Sequence, residues 1–137
     1  MLLGLKRETK TREEWIALYN NAPLFMDKIE ALSNLEYYSS YSDVQDILKR
    51  ALNDKVWGVR IFAVQSVAGI TGEAKEQFYP IIVNLAKNDS KSYVRAAALG
   101  ILSQAYKSKD NKTVYSEATK DKSPMVEETA KQLLNTR

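Results

Sequence analysis

Residues 54–60 read Asp54-Lys55-Val56-Trp57-Gly58-Val59-Arg60, and residues 89–95 read Asp89-Ser90-Lys91-Ser92-Tyr93-Val94-Arg95, so aspartate, valine and arginine return at the same three places. A third copy opens on Asp121 and keeps Val126, but Glu127 stands where arginine stood. A second register runs just downstream: Ala31, Ala63, Ala98 and Ala130 are each followed four residues on by Leu35, Val67, Leu102 and Leu134. Its steps are 32, 35 and 32 residues. Self-similarity at such a period marks supersecondary units that cannot bury an apolar stripe alone and therefore stack.

Within a unit the pattern is helical. Val44, Ile47, Leu48, Ala51 and Leu52 follow the i, i+3, i+4, i+7, i+8 spacing of one helix face. Helix pairs are expected over 43–52 with 56–68, 76–87 with 93–106, and 113–120 with 125–134. Pro124 suits a first helical turn, and either Asp121 or Ser123 can cap it. Gly69 and Gly72 punctuate a loop between units. Upstream, Thr11-Arg12-Glu13-Glu14 has capping-box spacing, with Trp15, Ile16 and Tyr19 on one face and Asn20-Asn21-Ala22-Pro23 as the stop. A helix over 24–35 carries the Ala31/Leu35 pair and makes the first, atypical unit. The expected architecture is all-α, an α-α superhelix of three to four helix pairs at about 11–35, 43–70, 74–106 and 113–135. Residues 1–137 are expected to form a single domain, with 1–10 the remnant of a preceding element.

Composition agrees and narrows the chemistry. A chain of 137 residues can bury roughly two-thirds of its unfolded surface. Five glycines and three prolines argue against a turn-rich β architecture. The absence of cysteine removes disulfides and thiolate metal sites, and the absence of histidine removes Ser-His-Asp and Cys-His catalysis and the H-E-x-x-H zinc motif. Adjacent carboxylates such as Glu13/Glu14 and Glu127/Glu128 point to different azimuths of a helix, which does not suit a shared acid/base site. No catalytic, metal or cofactor-binding residue is expected. The net charge of +3 comes from interspersed signs, so no nucleic-acid partner is expected. The longest apolar runs, such as 96–102, are too short to span a bilayer.

The segments 54–60 and 89–95, each followed by an Ala/Leu-rich helix, resemble the D-x-x-x-x-V-R pattern of HEAT repeats in the armadillo-like class of solenoids. The order Asn21-Ala22-Pro23, then Lys28-Ile29-Glu30-Ala31-Leu32, then Ala51 through Arg60 is similar to the C-terminal helical region of bacterial zinc aminopeptidases of the aminopeptidase N family. That family holds zinc in a separate upstream domain through H-E-x-x-H and a distant glutamate, none of which is here. The resemblance therefore implies a non-catalytic accessory domain without a cofactor of its own, partnered by the remaining domains of a parent enzyme. A stand-alone scaffold for a protein or peptide is the alternative.

Two residue sets carry the candidate functions. Asp54, Arg60, Asp89, Arg95 and Asp121 read as a repeat ladder in which the aspartates cap or brace turns and the arginines bond to them or to neighbouring turns. Asp121, followed by Glu127, is expected to lack an arginine partner. Tyr37, Tyr38 and Tyr41, in the one aromatic loop cluster, and Trp57, at a helix start, are the possible interaction surface. Their alternative role is to cover junctions between units. Lys107, Lys109 and Lys112 around Asp110 read as a solvated turn.

Overall fold

The computed structural model describes residues 10–136, and the expectation that 1–10 is a remnant falls, apart from Lys10, outside them. The described residues form eight α-helices and no strand: α1 Arg12–Asn21, α2 Phe25–Leu35, α3 Ser42–Ala51, α4 Trp57–Ser66, α5 Gly72–Asn88, α6 Ser92–Ala105, α7 Lys112–Ala118 and α8 Pro124–Asn135. Short 3-10 turns, Glu36–Tyr38 and Val67–Gly69, follow α2 and α4.

Local chemistry explains the ends. Thr11 and Glu14 make the full capping box: the Glu14 N–H donates to Thr11 Oγ1 at 3.1 Å, and the Thr11 N–H donates to Glu14 Oε1 at 2.8 Å. Ser123, rather than Asp121, caps α8, with Pro124 at its first position. α5 begins at Gly72, a turn earlier than the apolar pattern suggested, because Ala74 continues the buried stripe of Phe78, Ile82, Leu85 and Ala86. Gly72 enters with φ +69°, a conformation that disfavours any Cβ. Pro80 sits on the exposed side of α5, where the missing N–H costs least.

Helices pack in sequence as α1/α2, α3/α4, α5/α6 and α7/α8, while α2, α4, α6 and α8 also pack each on the next. The four register alanines, Ala31, Ala63, Ala98 and Ala130, are all fully buried. A methyl there lets neighbouring helices approach closely, and Val59, Val94 and Val126, also at 0% exposure, fill the same seam. One cluster of buried side chains runs from Trp15 to Ala130.

Replacing Ala98 by Leu is expected to cost about 2 kcal/mol by overpacking this seam, whereas exposed Ala17→Leu in α1 stays within about 0.5 kcal/mol. Urea midpoints of the two variants measure the contrast.

Candidate functional site: the ladder and its edge

Each aspartate first braces its own turn. The Val56, Lys91 and Ser123 N–H groups donate to Oδ1 of Asp54, Asp89 and Asp121 at 2.9, 2.9 and 2.8 Å. That leaves Oδ2 and the open side of Oδ1 facing the preceding unit. Arg60, in the first turn of α4, donates through Nε and Nη2 to both oxygens of Asp89 at 2.8 and 2.9 Å, and through Nη1 to the Asp54 carbonyl at 2.8 Å. Arg95 in α6 repeats this on Asp121 and the Asp89 carbonyl with the same three distances. The arginines thus fasten their own turn's backbone and the next unit's carboxylate, and Asp121 does have an arginine partner. That corrects the expectation drawn from Glu127, because a unit's carboxylate is matched by the preceding unit's arginine.

A rung that sequence reasoning missed lies ahead of these two. Lys28 Nζ donates to Asp54 Oδ2 at 2.8 Å, and the buried Tyr19 hydroxyl donates to the same oxygen at 3.4 Å. The signal was present: Lys28 stands three residues before Ala31, as Arg60 and Arg95 stand three before Ala63 and Ala98. Glu127 holds that place before Ala130 and pairs with Lys131 at 3.2 Å.

Electrostatics follow from the geometry. Burial alone would raise the Asp54 carboxyl, but the Lys28 ammonium, the Val56 N–H and the Tyr19 hydroxyl together hold it below its ordinary 3.8. The Arg95 guanidinium holds Asp121 below that value against the opposing effect of burial, and Asp121 in turn raises Arg95. Tyr19 is pushed up to about 12 by burial and then by the Asp54 charge. These groups are fixed in their ionised or hydroxyl forms near neutral pH, which suits a brace and gives no group poised for proton transfer there. Among the described residues no group of three or more acidic side chains gathers in a way that could hold a metal ion, and no helix is long and apolar enough to cross a membrane.

The four aromatic candidates are not brought together. Tyr38 and Tyr41 meet edge to face at 6.1 Å, and the Arg12 guanidinium lies 3.9 Å over Tyr41 while bonding Asp43, so these rings tie α1 to α3. Tyr37 is 88% exposed beside a shallow hollow lined by Glu30 and Glu36. These tyrosines follow the C-terminal end of α2, whereas Trp57 opens α4, level with the N-terminal end of α2. An 11-residue helix, about 16 Å, separates the two edges. Trp57 stacks on Tyr93 of the next unit at 5.6 Å yet remains 42% exposed. Lys109 donates to Glu76 at 2.6 Å, and the three lysines expected in a solvated turn line an open concavity of about 560 Å³ with Tyr115 and Leu133.

No family model matches the chain, and searches of curated proteins and of solved structures find no match.

Two outcomes are expected for the rungs. Arg60→Ala removes three bonds and strands the nearly buried Asp89 carboxylate and should cost about 3 kcal/mol, while Lys28→Ala removes one bond and leaves the equally buried Asp54 carboxylate still accepting from Tyr19 and Val56, and should cost about 2 kcal/mol; chemical denaturation of both variants gives the ratio. Asp54 and Asp121 titrate low in the folded chain, so their contribution is complete above the unfolded carboxyl range and is lost as pH falls through the lowered folded values. Between about pH 7 and pH 3 the unmodified chain should lose more melting temperature than Asp121→Asn; parallel curves would count against the assignment.

Proposed function

We propose that this chain is a non-catalytic helical-repeat accessory domain, an α-α superhelix of HEAT-like units, forming the C-terminal part of a zinc aminopeptidase and shaping its substrate chamber or domain interface. The observation that carries the repeat reading is the recurrence of one rung per junction. Arg60 and Arg95 make the same three bonds at the same lengths, so the step from the second unit to the third is repeated from the third to the fourth. A rigid step applied repeatedly generates a superhelix with an extended surface, and such surfaces act by holding other protein surfaces. The parent enzyme enters through the residue resemblance over 21–60, and the lack of histidine fits a piece whose metal ligands would lie elsewhere. A free-standing scaffold is the second reading, favoured by the exposed Trp57 and Tyr93 pair.

Sequencing the gene upstream of Met1 separates the two. An in-frame H-E-x-x-H with a distal glutamate is expected, and a frame lacking it removes the aminopeptidase assignment. The chain alone should release no amino acid from aminoacyl substrates; measurable turnover would contradict the non-catalytic role.

A further inference from the structure

The rungs align more than the core. Lys28, Arg60 and Arg95 sit in the first turns of α2, α4 and α6, and each reaches the aspartate just before the next even-numbered helix. The N-terminal ends of α2, α4, α6 and α8 therefore lie side by side along one edge. Nine large hydrophobic side chains are exposed among the described residues, and six of them, Leu24, Phe25, Met26, Trp57, Tyr93 and Met125, stand at these ends. Among them the Trp57 and Tyr93 rings meet across adjacent units, and exposed apolar surface that joins up in this way marks an interaction site.

Charge on the same edge is one-sided. The turns entering α4, α6 and α8 carry Lys55, Lys91 and Lys122, each two or three residues ahead of Trp57, Tyr93 and Met125. None of these lysines is ion-paired, and Lys91 Nζ rests 4.8 Å over the Trp57 ring. The edge aspartates Asp54, Asp89 and Asp121 are already neutralised by the rungs beneath, and Glu127 is taken by Lys131. Asp27, in the first turn of α2, makes that end less basic, so the basic stretch runs from Lys55 to Lys122.

We propose that this edge binds an acidic, extended protein segment, with carboxylates meeting Lys55, Lys91 and Lys122 and apolar side chains seated against Trp57, Tyr93 and Met125. The inference deepens the interaction-domain reading above and rests on it. Spacing supports an extended peptide: adjacent helices lie about 8–10 Å apart, and a polyproline II segment makes three residues per turn at about 3.1 Å each, so acidic residues at every third position share one face and keep pace with the lysines. Nucleic acid fits less well, because only one unpaired lysine is offered per unit, too sparse to track a phosphate backbone.

The test is fluorescence-anisotropy titration of the full chain with a labelled twelve-residue peptide carrying Glu at every third position and Leu or Phe among the others. A Lys-for-Glu peptide, a single-stranded oligonucleotide and phosphatidylserine vesicles are the comparison probes. The acidic peptide should bind tightest. The triple variant Lys55→Glu/Lys91→Glu/Lys122→Glu, whose replaced side chains make no bond to a rung, and the double variant Trp57→Ala/Tyr93→Ala should each weaken it at least about tenfold, with unchanged circular dichroism for the triple variant. Tighter binding of the oligonucleotide or the vesicles overturns the proposed occupant. Peptide binding that survives both variants overturns the edge while leaving an interaction domain in place. No peptide binding at all also overturns the edge, and the upstream frame and the turnover assay then judge the broader reading separately.

Discussion

A guanidinium fork reaching from the first turn of one helix to the carboxylate ahead of the next is the constraint on which the rest depends. Arg60 and Arg95 each spend three donors on two partners, one in their own turn and one in the following unit. Two parallel bonds to a carboxylate fix an angle as well as a distance, which a point charge such as the Lys28 ammonium cannot do. The fork therefore sets how α4 lies on α6 and how α6 lies on α8. The fully buried alanines set how close.

Taking these charges out of water is costly, and a buried ion pair adds little net stability over an apolar equivalent. Its value here lies in register. An apolar seam of Ala, Val and Leu tolerates sliding by a helical turn, while a fork that must find both oxygens of Asp89 tolerates none. The turn N–H groups of Val56, Lys91 and Ser123 complete the device by orienting each carboxylate toward its cationic partner. The same alignment that orders the core also gathers exposed aromatic and lysine side chains on one edge, so stacking and surface chemistry share an origin.

Much of this was legible in the chain. Two interleaved registers marked three to four helix pairs, and helix existence followed from apolar spacing because the 3.6-residue period acts within a single element. The start of α5 was less legible, since Gly72 and Pro80 are local signals against a helix that the burial of Ala74 and Phe78 overrides. Among the candidate residues, the ladder was visible as residue types but its partners were not. Asp and Arg six positions apart suggest a pair within one unit, whereas the bonds to the carboxylates cross to the next, 26 or 29 residues away.

The sequence by itself determined the helical class, the repeat and the absence of histidine and cysteine chemistry, because each is a property of residue type and local spacing. Only the tertiary structure decided that Lys28 belongs to the ladder, that Asp121 is answered by Arg95, and that Trp57 stands on the opposite edge from Tyr37, Tyr38 and Tyr41. Those facts depend on which ends of separate helices lie side by side, and that is fixed by packing across units rather than by the chain between them.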